Sequence, residues 1–260
     1  MIIMETISSS RNQRVLLWRS LKEKKSREEH GLFLVEGPKS VSEALLSGFS
    51  VDALLLRQGY MPPFDLPAGI PVYSLSDSVF QSVSDTRTPQ GIAAVVHLYA
   101  PVLKGRRFLA LDGIQDPGNL GTIVRTADAA GFEGILLSQE CADLFSPKVI
   151  RATMGSIFRL SYSFPPSLPD ALKALRYDHG FAVISSQLDG SPFYDRAMLI
   201  PPYILIIGNE GNGISEEVKA VATHRFRLPM KGGAESLNAA VAAGIMMYDL
   251  LRAESKAEVT

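Results

Sequence analysis

The chain has 260 residues, 46% hydrophobic and 20% charged, with a formal net charge of −1. This profile fits a globular protein of one large domain or two ordinary ones and argues against a disordered chain. No apolar run reaches the roughly 18 residues of a membrane span, and the opening MIIMETISSSRNQR is too short in apolar residues for a signal peptide, so a cytoplasmic protein without a membrane segment is expected.

The lone Cys141 excludes an internal disulfide, and His30, His97, His179 and His224 are too scattered for metal-ligand spacing, so no metal is expected. Cys141 lies in the polar QECAD segment with no evident base beside it and reads as an unreactive thiol. A near-neutral chain has no global footprint for nucleic acid, so any such footprint has to be local. The opening stretch RNQRVLLWRSLKEKKSR, Arg11 to Arg27, holds seven Lys and Arg against the single Glu23 and reads as a basic helix, with Val15, Leu16, Trp18 and Leu21 as its apolar stripe. Arg11, Arg14, Lys22, Lys24, Lys25 and Arg27 are therefore candidate phosphate contacts, although most basic helix faces are simply solvated.

Two α/β halves follow in chain order. In the first, GLFLVEG is a strand and PKSVSEALLSG a helix, with Pro38 at its first position and Gly48 ending it. VDALLLR is a strand, and after the loop GYMPPFDLPAGIP come a strand VYSL, a helix from Ser76 to about Val83 and a strand GIAAVVH. The second half alternates regularly: strand RFLALD, helix NLGTIVRTADAAG, strand GILLS, helix SPKVIRATMGS, strand FRLSYSF, helix PDALKALRYDHG, strand FAVISS, strand YILIIG, helix SEEVKAVA and a long helix SLNAAVAAGIMMYDLLRAE. Such alternation predicts an α/β fold, a mainly parallel sheet with helices on both faces, preceded by a smaller α/β domain. The expected domains are residues 1–100 and 107–254. Ligands of such sheets collect at the carboxyl ends of the strands.

Three loops at those ends hold unusual residues. The first, DPGNLGTIVRTADAAGFEG, has Gly118 and Gly121 at a spacing that fits neither a P-loop nor a dinucleotide fingerprint; Asn119 reads as a helix cap, and Arg125 projects from the helix side. A capped helix with a surface arginine explains it equally well. The second, IIGNEGNGIS, sets Gly208, Gly211 and Gly213 around the single carboxylate Glu210, with Ser215 opening the next helix. In the third, LPMKGGAESLNAAVAAG, Gly232 and Gly233 precede a helix begun by Ser236 or Asn238, whose first N–H groups are available to an anion. Each loop alone also reads as ordinary turn chemistry.

Together and in this order, NLGTIVRTADAAGF, LIIGNEGNGIS and LPMKGGAESLNAAVAAG resemble the three motifs of the SpoU branch of the SPOUT RNA methyltransferases, over residues 107 to 252. The segment SPKVIRATMGSIFRL is similar to the stretch between that family's first two motifs, and KKSREEHGLFLVEG to its amino-terminal substrate-binding domain, related to a ribosomal-protein RNA-binding fold. The resemblance implies S-adenosylmethionine as cofactor, transfer of its methyl to a ribose 2′-hydroxyl, a trefoil knot in the catalytic domain and a homodimer formed through that domain. It places Asn119, Arg125, Glu210, Ser236 and Asn238 in the catalytic set, and Ile207, Gly208, Leu228, Met230 and Leu237 at the cofactor. The catalytic set is expected to hold the ribose, order Arg125 and shape the turn. An arginine, with a pKa above about 12, is a poor general base, so Arg125 is expected to hold a phosphate and orient the hydroxyl. Structured RNA is the expected partner, rRNA ahead of tRNA. The alternative is a noncatalytic RNA-binding or ribosome-assembly protein of the same fold, against which the intact residue set argues; a dinucleotide-dependent oxidoreductase lacks its fingerprint here.

Overall fold

A computed structural model describes residues 4–99 and 102–257. The first elements are β1 (Met4–Ile7), α1 (Gln13–Ser20), α2 (Lys24–His30), β2 (Leu32–Glu36), α3 (Pro38–Leu46), β3 (Val51–Arg57), β4 (Val72–Leu75), α4 (Asp77–Val83) and β5 (Ile92–His97). They are followed by β6 (Arg107–Asp112), α5 (Pro117–Ala129), β7 (Gly134–Leu137), α6 (Pro147–Thr153), β8 (Ser161–Ser163) and α7 (Leu168–His179). The last are β9 (Ala182–Pro192), β10 (Tyr203–Gly208), α8 (Glu216–Lys219), β11 (His224–Arg227) and α9 (Ala239–Ala257). They form two compact units, one taking the described residues up to Tyr99 together with Phe145–Phe158, the other the rest.

The first unit is a sheet of order β1-β4-β3-β5-β2, in which β1, β4 and β3 run parallel while β5 is antiparallel to β3 and β2. Alternation along β2 sends its side chains to two cores. Leu32 and Leu34 join Val15, Trp18 and Leu21 on one face, with Trp18 tilted 5.1 Å from the Tyr73 ring. On the other face Phe33 meets Phe145 and Phe158, at ring separations of 5.0 and 6.4 Å. This aromatic cluster, rather than sequence order, captures the segment 145–158, so α6 packs against β2 although its sequence lies between β7 and β8.

The expected basic helix is two helices. The chain breaks after Ser20, and the Arg27 guanidinium donates to the carbonyls of Leu21 and Lys22, both at 2.7 Å. Arg27 is only 3% exposed, so it holds the break together and is not on the surface that an RNA would meet. Leu16, expected in the apolar stripe, is 41% exposed, because the inward face is set by Val15 and Trp18 three residues apart. Strands β1 (METI) and β11 (HRFR) carry polar residues in place of a continuous apolar run and do not stand out from their loops in the sequence.

The second unit is a wholly parallel sheet of order β11-β9-β10-β6-β7-β8. The near-continuous apolar runs FLAL and YILII suit such a sheet, which is covered on both faces, and all five residues Tyr203–Ile207 are buried. The chain runs from β6 outward through β7 and β8, then crosses over to β9 and returns as β10 beside β6. The carboxyl ends of β6 and β10 therefore flank the point where the strand order reverses, the usual place for a ligand in an open α/β sheet. Helices α5 and α9 pack on each other, and Glu254 of α9 accepts from Arg107 at 2.6 Å and from the Tyr203 hydroxyl. Burial and the Glu254 carboxylate push the Tyr203 phenol well above its ordinary pKa.

The Arg27 bonds satisfy carbonyls that an uninterrupted helix would have used. Arg27→Met is expected to lower stability by about 2 kcal/mol, from the loss of charge-assisted hydrogen bonds, whereas exposed Lys25→Ala should shift it by less than about 0.5 kcal/mol; urea unfolding of both variants checks the contrast.

Candidate active site

The first loop places its residues by a cap. Asp116, not Asn119, is the N-cap of α5: its carboxylate accepts from the Asn119 N–H at 2.7 Å, and Pro117 opens the helix. A sequence reading that starts the helix at Asn119 misses this, because Asp116 and Pro117 form the earlier start signal. The Asn119 side chain is thereby left free of capping. Its amide nitrogen donates to Glu210 Oε1 at 2.5 Å, and its amide oxygen accepts from Asn238 Nδ2 at 3.0 Å. One side chain thus joins loops that lie 91 and 119 residues away in sequence.

Asn238 in turn caps α9, its Oδ1 accepting from Ala240 N–H at 3.0 Å and Val241 N–H at 3.2 Å. These first helical donors are satisfied internally and are not available to an anion, contrary to the sequence expectation. Arg125 stands apart from the others. It is exposed on α5 and forms no hydrogen bond or ion pair among the described residues, so none of Asn119, Glu210, Ser236 and Asn238 orders it.

The second loop is held from below. Asp112, at the end of β6, accepts from both the N–H and the hydroxyl of Ser215 at 2.8 Å. Asn209 donates to the Gly113 carbonyl at 2.7 Å and accepts from the Gly211 and Asn212 N–H groups at 2.8 and 3.0 Å, while its main chain bridges to Gly213. Two glycines are required by this geometry. Gly213 has φ +69°, and a Cβ on Gly208 would lie 2.4 Å from both the Gly213 carbonyl carbon and the Ile214 nitrogen. Sequence reasoning singled out Glu210 in this turn and missed Asp112 and Asn209, which anchor it.

Beside the turn is a cavity of about 510 Å³, within the range of small-molecule sites. Ile207, Gly208, Leu228, Met230 and Leu237 all line it, as do Glu210 and Ser236. The lining combines these apolar groups with Asp189, Glu235, Lys219 and Arg227, which supply charges of both signs. This mixture fits a ligand with an aromatic base at one end and a zwitterionic amino acid at the other, as S-adenosylmethionine has. Among the described residues no group of three or more His, Cys, Asp and Glu is arranged to hold a metal. Cys141 donates its thiol to the Leu111 carbonyl at 3.3 Å, and burial pushes its pKa up, which leaves it a poor nucleophile.

The candidate phosphate contacts of the first unit are dispersed. Arg11, Lys24 and Lys25 are exposed, with Lys24 3.7 Å from Glu28. Arg14 pairs with Glu5 at 3.0 Å and lies over the Tyr73 ring, and Lys22 donates to the Ser82 and Ser84 carbonyls at 3.0 and 2.7 Å. Lys22 is therefore engaged in joining the α1–α2 break to the end of α4.

The comparisons with known proteins agree with this architecture. The sequence profile described as "SpoU rRNA Methylase family" matches residues 106–248, and that described as "MRM3-like substrate binding domain" matches residues 12–94. The 23S rRNA (guanosine(2553)-2′-O)-methyltransferase RlmP of Bacillus subtilis is 40% identical over 250 residues, which is 95% of this chain and 99% of that protein. A putative RNA methyltransferase of the TrmH family from Porphyromonas gingivalis superposes with a TM-score of 0.84 at 36% identity, over 93% of this chain and 98% of that one. An AdoMet-bound rRNA methyltransferase from Sinorhizobium meliloti superposes with a TM-score of 0.84 at 32% identity, over 96% and 98%.

Because a Cβ at Gly208 would meet main chain that cannot swing aside, Gly208→Ala should destabilise the second unit by about 3 kcal/mol, at the upper end of overpacking costs. Gly211→Ala, whose Cβ would meet nothing closer than Asn209 Oδ1 at 3.5 Å, should cost less than about 1 kcal/mol. Thermal unfolding of the two variants distinguishes a required close approach from a merely glycine-rich turn.

Proposed function

The chain belongs to the SpoU rRNA methylase family, and from that membership we propose how its own residues carry out methyl transfer to a ribose 2′-hydroxyl of RNA. The observation that carries the reading is the Asn119 bridge between Glu210 and Asn238 at the wall of the 510 Å³ cavity. Ile207, Gly208, Leu228, Met230 and Leu237 would hold S-adenosylmethionine there, and the cofactor supplies, when bound, a methyl group already activated on a sulfonium. The protein's task is then chiefly alignment, which contributes roughly 7–11 kcal/mol in favourable intramolecular cases.

In this reading Glu210 and Ser236, both lining the cavity, bind the ribose. Asn119 and Asn238 fix the two loops that carry them. Arg125, exposed and without a partner among the described residues, receives the phosphate next to the target and orients the hydroxyl; the proton leaves through that phosphate or a water. Guanidinium geometry suits bidentate phosphate binding and its basicity rules it out as a proton acceptor.

Two finer points join the proposal. Because the chain is collinear with the B. subtilis relative over nearly its whole length, 23S rRNA is the preferred substrate. A homodimer through α5 and α9 is supported by the half-exposed Val241 and Tyr248, an apolar face that a second copy would cover. The first unit, matching a substrate-binding profile, serves as the RNA-docking domain, with Arg11, Lys24 and Lys25 as exposed members of the candidate set.

Two measurements test the reading. With labelled methyl donor and unmodified 23S rRNA, the protein should form a 2′-O-methylnucleoside, and Arg125→Ala should slow this about 100-fold, the scale of a misplaced reacting group, while cofactor affinity is retained. Labelling of tRNA alone would overturn the rRNA assignment. Replacing Lys24 and Lys25 with Ala should flatten the log–log salt dependence of RNA binding by about 1.5, at roughly 0.7–0.9 per phosphate contact; an unchanged slope would remove these lysines from the interface.

A further inference from the structure

Strand β9 departs from its ladder in one place. Ser185 pairs with Arg225 of β11, but the next residue of β11, Phe226, pairs with Ser191. Residues Ser186–Gly190 are therefore extruded between two consecutive rungs, and they return to the sheet at Gly190, where a Cβ would lie 2.6 Å from the Phe226 main chain. The extruded segment forms part of the 510 Å³ cavity wall.

Its burial is inverted with respect to polarity. Leu188 is 72% exposed, while Gln187 is 7% exposed. A buried carboxamide requires partners for its donors and its acceptor. Gln187 Nε2 donates to Ser185 Oγ at 2.7 Å, and Ser185 Oγ donates in turn to the His224 carbonyl at 3.2 Å. The serine proton is committed to that carbonyl, so its oxygen accepts from the glutamine, which fixes the amide with Oε1 turned away from Ser185. Oε1 receives no hydrogen bond from any described residue, and it is not a sealed buried atom. The cavity that Gln187 lines is the open space available to it.

We infer that Gln187 reads the exocyclic amine of the cofactor's adenine: its fixed carbonyl oxygen accepts from the 6-amino group, and Leu188 packs on the base. The inference rests on the methyltransferase reading of this cavity and adds a specificity-determining side chain to it. The ammonium of the methionine moiety is the other donor that such a ligand offers, but Asp189 and Glu235 line the same cavity and meet a cation with a full opposite charge. A neutral oxygen in a cavity that Ile207, Leu228 and Leu237 also line matches a neutral amine on a flat apolar ring. A site built around such an acceptor rejects an analogue that presents an oxygen there, because two acceptors then face each other.

Calorimetric titration with S-adenosylhomocysteine and S-inosylhomocysteine, in which a 6-oxo group replaces the amine, tests this by binding alone. The wild-type protein should bind the adenosyl compound at least tenfold more tightly, and Gln187→Met, similar in size but without the oxygen, should lose most of that preference by weakening the adenosyl compound alone. Equal affinities in the wild type would overturn the assignment without recourse to any variant. A preference that survives intact in folded Gln187→Met would also overturn it and leave Gln187 as a brace for the extruded segment. Failure of the wild type to bind S-adenosylhomocysteine would overturn the cofactor reading itself, a result distinct from equal binding of the two compounds.

Discussion

The site depends on one side chain being released from local duty. An asparagine near the start of a helix ordinarily spends its side chain on capping. Here Asp116 takes the cap, and Asn119, three residues on, presents both ends of its amide outward. The donor end goes to Glu210 and the acceptor end to Asn238, an arrangement that the amide's fixed polarity enforces. Neither a carboxylate nor an aliphatic residue at 119 meets both demands. A carboxylate would repel Glu210, and a shorter apolar side chain would leave the two loops without a common anchor.

One of the two loops that the bridge joins is already stiff. The Asn209–Gly213 turn closes on itself through main-chain bonds and is held to β6 by Asp112 and Asn209. Gly208 lets the strand end pass within contact of the main chain that follows the turn. The last loop is fixed at its far end by Asn238, which caps α9. Exposed pairs of this kind add little to global stability, so on the proposed reading the arrangement is preorganisation: its free energy is spent on the position of Glu210 rather than on holding the unit folded.

Much of this was legible in the sequence, for a physical reason in each case. Buried parallel strands such as YILIIG carry continuous apolar runs, and the three glycine- and asparagine-rich loops fall directly after strands or before helices. What escaped was what depends on partners far along the chain. The capping role of Asp116 is local and was available in the DP dipeptide. The capture of residues 145–158 by Phe33 was not, since an aromatic cluster assembled across more than 110 residues leaves no periodicity to detect. Arg27 looked like one cation in a basic run, and only the break after Ser20 explains why it is buried. The excursion of β9 was invisible because SSQLDGSP reads as a strand that has already ended.

The fate of the basic segment also resolves the conflict between RNA as substrate and a net charge of −1. Of the six cations first considered, Arg27 is internal, Lys22 is bound to two carbonyls and Arg14 is paired with Glu5. With these three engaged within the protein, Arg11, Lys24 and Lys25 are the exposed members of that set that remain, and each cation withheld from phosphate lowers the counterion release available to binding. On the proposed reading, selection of a target rests on shape and on the few groups that meet the RNA at the site, Arg125 among them. A strongly basic surface would retain any RNA equally; on the proposed reading a sparse one leaves the choice of ribose to the geometry around Asn119.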